Sequence, residues 1–318
     1  MKVTEHIDRA KGKTLFSLEI LPPLKGESIQ PAFESIERIL EFGIPFIDVT
    51  WHREEFEYRE VEGGLMKRVT IKKRPGTVGI CAAIQNRYNI DAIPHVLCGG
   101  FTAEETENFL IDLNFLGIDN VMALRGDPVA GERGFTPEKG GHAYSLDLVS
   151  QIEAMNEGRY LDESIKYCTP TNFCIGVAGY PEKHIESPCM ESDLHFLREK
   201  VRRGADYIIT QMFFDNRKFF EFEKKLRETG ITVPIIPGLK PLATTKQLNA
   251  LPLKFKVDLP ENLVKEVLKA KNDKSVREIG IEWCAEQSRE LIKSGVPVIH
   301  YYSSGKTENI REVLKEIS

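Results

Sequence analysis

The stretch TVGICAAI, residues 77–84, decides how many strands the chain can have. It is apolar enough for a buried strand, but only residues 85–91 separate it from the β-rich run AIPHVLC at 92–98. Parallel neighbours need a crossover of about a dozen residues or more, and that gap is too short. Its alanines, the QNRY that follows and the breaker pair Pro75-Gly76 ahead of it predict a helix instead. AIPHVLC is then the third strand, after LFSLEIL (15–21) and PFIDVTW (45–51). NVMALRG (120–126), FCIGVAG (173–179), YIITQMF (207–213), PIIPGL (234–239) and PVIHYY (297–302) complete a set of eight. Amphipathic patterns over 32–42, 103–116, 193–203, 219–229 and 275–293 supply helices between them. Strand and helix alternating in this way predict an α/β fold, a (β/α)8 TIM barrel, as a single domain over residues 1–318.

The segment HREEFEYREVEGGLMKRVTIKKRPG, 52–76, is acidic first and basic afterwards, and it reads as a solvated loop. It follows the second strand, on the face where barrels carry their reacting groups, so a loop of this length can serve as a lid or cofactor clasp.

With 43 basic and 48 acidic residues the net charge is −5, which offers phosphate backbones or anionic lipid no broad attraction. Nucleic acid is not an expected partner. The charged start MKVTEHIDRAKGK and the lack of a long apolar run predict no signal peptide, no membrane anchor and a cytoplasmic location. The 6 cysteines include no CxxC pair and read as reduced and structural. The 7 histidines form no HExxH spacing, and no metal is expected.

Reacting groups in such a barrel come from strand C-terminal ends and the loops after them. Here those positions carry Glu19, Thr50, His95, Asp127, Tyr180, Gln211 and Tyr302. In FSLEILPP (16–23), Glu19 shares a strand face with Ser17 and Leu21, opposite Leu18 and Ile20, so its carboxyl points inward. Burial disfavours the ionised form and keeps a proton ready for general acid catalysis. The alternative, a carboxylate paired with a buried lysine or arginine, finds no such partner inside the strands. Pro22 and Pro23 then stop the strand.

In ALRGDP (123–128), Asp127 either fixes a turn or supplies negative charge where cationic character develops, and Gly126 lets the backbone approach a flat ring. AGYPEKH (178–184) offers an aromatic face at Tyr180 and a cation at His184, suited to a ring and a diphosphate, although a lone histidine is more often structural. Gln211 in ITQMFFD (209–215) can donate and accept at the edge of a pterin or nicotinamide, whereas Phe213 and Phe214 read as core. Neither GxGxxG nor GxxxxGK[ST] occurs, so any nucleotide binds without a Rossmann turn or a P-loop.

In order along the chain, FSLEILPP, DVTW, PHVLCGG, ALRGDP, AGYPEKH, GADYIITQMFFD and PIIPGLKP resemble the motifs of the methylenetetrahydrofolate reductases, flavoproteins that reduce methylenetetrahydrofolate to methyltetrahydrofolate. The resemblance runs from the first strand to the last helix. It implies FAD at the barrel mouth and a ping-pong cycle in which NADH or NADPH reduces the flavin and leaves before folate takes the same place. It assigns catalysis to Glu19, as the acid that opens the five-membered folate ring to an iminium, and to Asp127, between flavin and folate. Thr50, His95, Arg125, Gly126, Asp127, Tyr144, Tyr180, His184, Asp193 and Lys200 are implied along FAD, and Gln211, Gln247 and Lys306 on the substrates. A homo-oligomer is also implied.

Departures from the pattern fall at Trp51-His52-Arg53, at Phe196 and Glu199, and at Lys306, which stands where an arginine is usual. Two other readings keep the barrel: a flavin-free folate reductase with direct hydride transfer, and a pterin-binding subunit without oxidoreductase activity. His95, Tyr180 and His184 argue against the first, and Glu19 together with the flavin motifs against the second.

Overall fold

The computed structural model describes every residue of the chain except Ala130, Arg133 and Ser304. Its strands are β1 (Leu15–Ile20), β2 (Phe46–Val49), β3 (Glu55–Val61), β4 (Leu65–Ile71), β5 (Asp91–Leu97), β6 (Asn120–Leu124), β7 (Cys174–Gly179), β8 (Tyr207–Met212), β9 (Ile235–Leu239) and β10 (Val298–Tyr302). Its helices are α1 (Val3–Ala10), α2 (Gln30–Glu37), α3 (Val78–Tyr88), α4 (Ala103–Phe115), α5 (Ser145–Asn156), α6 (Met190–Arg202), α7 (Asn216–Glu228), α8 (Gln247–Phe255), α9 (Glu261–Lys269), α10 (Asp273–Ser294) and α11 (Glu308–Ile317). Eight parallel strands close in the order β1-β10-β9-β8-β7-β6-β5-β2, the expected barrel.

TVGICAAI is helical. Ile80, Cys81 and Ile84 form the buried face of α3, and Asn89, in the left-handed conformation at φ 53°, ends it before β5. That spacing of apolar residues is a helical stripe, not a strand's alternation. The helix α4 starts on a reciprocal cap: the Glu105 amide donates to Thr102 Oγ1 (3.1 Å) and the Thr102 amide to Glu105 Oε2 (2.8 Å).

Residues 52–76 depart from the expected loop. They contain an antiparallel hairpin, β3 paired with β4 from Glu55↔Ile71 to Val61↔Leu65, turning at Gly63 and Gly64. Both faces are largely solvated, so no buried alternation marks the strands, and the charge blocks mask strand formers such as Phe56, Tyr58, Val69 and Ile71. The Arg68 guanidinium lies 3.5 Å over the Phe56 ring, a cross-strand contact.

Two hydrophobic layers build the barrel, and a third cluster joins α8, α9 and α10 beside it. Outward-facing residues such as Leu18, Ile20, Ile47 and Val49 pack against the helices. Inside the barrel, Phe46, Ile93, Met122, Cys174, Tyr207, Ile236 and Val298 form a floor that α1, unforeseen in the sequence, plugs with Val3 and Ile7. The Val3 amide donates to Asn120 Oδ1 (2.9 Å), while Asp91 accepts from the Met1 amino group and contacts His6 Nε2, each at 2.7 Å. Burying a Val3-sized side chain is worth about 1.5–3 kcal/mol.

Two strand glycines make room for tyrosines. A Cβ on Gly176 would lie 2.4 Å from Tyr207 Cζ, and one on Gly238 2.6 Å from Tyr302 Cε2, so these rings fill the barrel only because side chains are missing opposite them. Among the described residues no helix is long and apolar enough to cross a membrane.

Candidate functional site

The strand alternation of β1 turns Ser17 and Glu19 into the barrel and Leu18 and Ile20 towards the helices. Ser17 Oγ lies 3.0 Å from His300 Nδ1, and Ser303 Oγ donates to the Glu19 carbonyl at 2.5 Å. Glu19 keeps part of its surface open to the mouth but is surrounded closely enough that burial dominates and raises its pKa. His95 and Lys240 pull the other way, and Asp48 adds to the rise.

A buried basic group acts on Glu19 from just beyond a strand end, where the sequence reading, confined to the strand interiors, placed none. Lys240, one residue beyond β9 and 6% exposed, is electrostatically coupled to it and donates to the Tyr302 carbonyl at 3.2 Å. Burial lowers the pKa of Lys240, while Glu19 opposes that fall. The lysine sits past the strand end, outside the strand interior considered in the sequence, and burial still prevails at Glu19. Asp48 and His300 were also missed: alternation along PFIDVTW turns Phe46, Asp48 and Thr50 to one face, a signal that was available.

A β-bulge shapes the opposite wall. The register between β8 and β9 slips between Ile209 and Met212, where β8 carries one extra residue. Thr210 Oγ1 accepts from the Gly238 amide (2.9 Å), Tyr302 Oη donates to the Thr210 carbonyl (2.7 Å), and Gln211 Oε1 accepts from the Met212 amide (2.9 Å). Phe213 and Phe214 are buried core, as expected.

A second cluster lines the rim after β6 and β7. Arg125 forms a two-pronged pair with Glu186 (2.5 and 2.8 Å), and its guanidinium lies 5.1 Å from the Phe135 ring. Gly126 takes φ +88°, the left-handed conformation its lack of a Cβ permits, and presents the exposed Asp127. Asp127 acts by charge on both Tyr180 and His52, so it lies within electrostatic reach of each. The Tyr180 and His184 rings meet edge to face at 4.7 Å. Burial pushes the Tyr180 phenol up to about 12 and lowers the pKa of His184, which Arg125 lowers further. Asp193 accepts from the His184 amide (2.9 Å) and Ser187 Oγ (3.0 Å), shaping this loop. Burial also lowers the pKa of Lys200, against the attraction of Asp193.

Thr50 Oγ1 joins the Ile20 carbonyl (3.4 Å) and His52 Nε2 (3.1 Å). The unusual Trp51 packs against Phe101 and Phe109 with Lys72 over its ring, and Arg53 pairs with Glu138 at 2.6 Å, so these departures brace neighbouring loops. Gln247 and Lys306 line a cavity of about 440 Å³ together with Lys240, Arg277 and Tyr302. Gln247 Oε1 accepts from the Ala243 and Thr244 amides (2.6 and 3.1 Å), which fixes the loop after β9. Tyr144 stands apart, 64% exposed at the N-cap of α5.

The geometry thus gathers Glu19, His95, Lys240 and Tyr302 deep in the mouth, Arg125, Tyr180, His184, Asp193 and Lys200 along one rim, and Gln247 with Lys306 beside Lys240. Residues 2–318 match the family described as methylenetetrahydrofolate reductase. Methylenetetrahydrofolate reductase (NADH) 1 of Arabidopsis thaliana is 32% identical over 315 residues, covering 95% of this chain and 48% of the plant protein. The 5,10-methylenetetrahydrofolate reductase of Escherichia coli is 28% identical over 309 residues, covering 96% and 91%. The chain spans about half the length of the plant relatives it matches. A Clostridium thermocellum protein, described as binding two copies of 5-methyl-5,6,7,8-tetrahydrofolic acid, shares the fold with a TM-score of 0.56 at 15% identity, covering 99% of this chain and 97% of its own. With its motifs in order around one barrel mouth and the match extending over nearly its whole length, the chain belongs to the methylenetetrahydrofolate reductase family.

Proposed function

We propose that the protein reduces 5,10-methylenetetrahydrofolate to 5-methyltetrahydrofolate with NADH or NADPH as electron donor and FAD as resident cofactor. The observation that carries this reading is Glu19: an inward carboxyl whose pKa burial raises, at the bottom of a mouth ringed by polar groups. Such a group holds its proton more firmly than an exposed carboxyl and can deliver it to a substrate nitrogen.

The rim suits FAD by its donor chemistry. Tyr180 offers an aromatic face, His184 and Lys200 offer donors, and Gly126 presents no side chain to a flat ring. Among the described residues Lys200 has no carboxylate within ion-pair distance, whereas Arg125 is already engaged by Glu186, so charge for a diphosphate rests mainly on Lys200. Thr50, His95 and Asp193 would complete the cofactor's surroundings, with Tyr144 at their exposed edge. Bound there, the flavin would supply the hydride carrier between nicotinamide and folate.

The remaining work falls to the chain. Glu19 protonates the folate nitrogen whose bond to the one-carbon bridge breaks, leaving an iminium. Asp127 stabilises that cation more than the neutral substrate, which accelerates the step. Gln211 holds the pterin edge by donating and accepting. In the cavity beside Lys240, Lys306 and Arg277 offer positive charge to the folate glutamate tail, and Arg277 supplies the two-pronged guanidinium that a lysine cannot.

Anaerobic absorbance titration tests this. A yellow protein that bleaches with NADH or NADPH and regains its colour with methylenetetrahydrofolate is the expected result. A colourless protein that cannot be reconstituted with FAD would overturn the flavin-dependent reading.

A further inference from the structure

Glu19 and Asp48 are register partners on the adjacent parallel strands β1 and β2, and both side chains turn into the barrel. Asp48 is 1% exposed, and among the described residues neither of its carboxylate oxygens has a hydrogen-bond partner. Oδ1 lies 3.7 Å from His95 Nε2 and Oδ2 3.7 Å from His300 Nδ1, so the carboxylate is spread between two imidazoles without a direct bond to either. A buried acid left in this arrangement is costly, and a floor residue such as Phe46 shows that the strand accommodates an apolar side chain two positions earlier.

We infer that Asp48 is a positioning residue for the proton on Glu19: the two carboxyls form a buried pair holding one proton, kept on Glu19, while Asp48 carries the charge opposite His95 and His300. Two neighbouring carboxyls removed from water resist ionising together, so whichever is fixed as the anion holds the other protonated. The imidazoles of β5 and β10 stand 3.7 Å from the Asp48 oxygens, which is why the charge of the pair is placed there and not on Glu19. This inference rests on the role proposed for Glu19.

The groups facing the pair come from every side of the barrel. Asp48 lies 3.7 Å from His95 and from His300, and its charge acts on Tyr302, on Tyr207 from β8 and on the Cys81 thiol from α3. Glu19 also feels Lys240 beyond β9 and Lys254 in α8, both of which favour its ionisation. Burial lowers the pKa of His300 against the pull of Asp48, and burial followed by the Glu19 and Asp48 charges raises that of Tyr302. Against two lysines and His95, which act to ionise Glu19, burial is the largest opposing influence and the Asp48 charge adds to it.

The test is Asp48→Asn in the full chain, with flavin content and thermal unfolding showing that it is folded. Folate reduction by an acid is lost as pH rises through the pKa of that acid. Removing the Asp48 charge is expected to move this alkaline limb towards acid by about one pH unit or more. A limb at its wild-type position overturns the inference.

Infrared pH titration gives a readout independent of turnover: the protonated-carboxyl band that Glu19→Gln abolishes should disappear at lower pH in Asp48→Asn. An unchanged titration again overturns the pairing. If Asp48→Asn does not fold, Asp48→Ser removes the same charge and is judged by the same two measurements. If Glu19→Gln leaves folate reduction intact, the proposed role of Glu19 falls, and the infrared titration still decides the coupling.

Discussion

The barrel interior has two layers that differ by one inward step along the same strands. On β2 the step runs from Phe46 to Asp48, on β5 from Ile93 to His95, and on β10 from Val298 to His300. The lower layer is apolar and sealed by α1. The upper layer carries acids and imidazoles, and Asp48 there, like the hydroxyl of the floor residue Tyr207, lacks a hydrogen-bond partner among the described residues. Each unsatisfied buried group costs about 1–3 kcal/mol, so the upper layer is a place where stability is given up for chemistry. Period-two alternation sets which residues face inward in both layers, while height along the barrel axis decides whether they pack or react.

The largest expected effect separates the layers by function. Glu19→Gln should slow flavin reoxidation by methylenetetrahydrofolate by about 10²–10⁴-fold, the usual span for general acid catalysis, and slow flavin reduction by nicotinamide far less. Stopped-flow absorbance of the two half-reactions measures this, and equal losses in both would remove the acid role. The lower layer should answer in stability. Phe46, fully buried, should cost about 3–5 kcal/mol when replaced by alanine, read as a lower midpoint in denaturant unfolding. A loss below about 1 kcal/mol would mean that α1 and the strands collapse into the space, and the floor would be less rigid than its packing implies.

A smaller effect sharpens the boundary of the upper layer. Asp127 is exposed at the rim, so solvent and salt screen its charge. Asp127→Asn should slow the folate half-reaction by about tenfold, less than the 10²–10³-fold expected of a fully enclosed electrostatic group. A much larger loss would show that bound ligands exclude water from Asp127. No loss would leave it only a turn-forming role.

The barrel was legible because its strands are apolar runs separated by helix-length spacings, and the one ambiguous run, TVGICAAI, was settled by the length of chain after it. The hairpin was not legible: Glu55 to Ile71 is charged on both faces, and solvated strands leave no burial pattern. The helix α1 was hidden in the same way, since charged residues surround the Val3 and Ile7 that it buries. In the site, Glu19 and Tyr302 could be placed because strand ends converge in a barrel. The inward face of Asp48 was open to reading from the alternation of PFIDVTW, whereas Lys240 became significant only once the register placed β9 beside β10. Tyr144 followed from motif position alone, and motif position does not report that the ring is solvated.

The smallest effect concerns the outer edge of the floor, where the apolar layer meets water. Asp91 opens β5 and faces the Met1 amino group and His6 Nε2, each at 2.7 Å. Burial pushes its pKa up, but hydrogen bonds from His6 and the amino group outweigh that and leave it below the ordinary value of 3.8. A carboxyl held low in the folded state contributes stability that is complete above its unfolded pKa and disappears as pH falls through the folded one. The pair is partly solvated, so Asp91→Asn should cost about 1 kcal/mol or less at neutral pH. Its melting temperature should approach that of the wild type as pH drops below 3.8, because protonation has then removed the same charge from both proteins. A gap that stays constant with pH would assign the attachment of α1 to Val3 packing and the Asn120 hydrogen bond, and the floor would then be held by contacts that do not titrate.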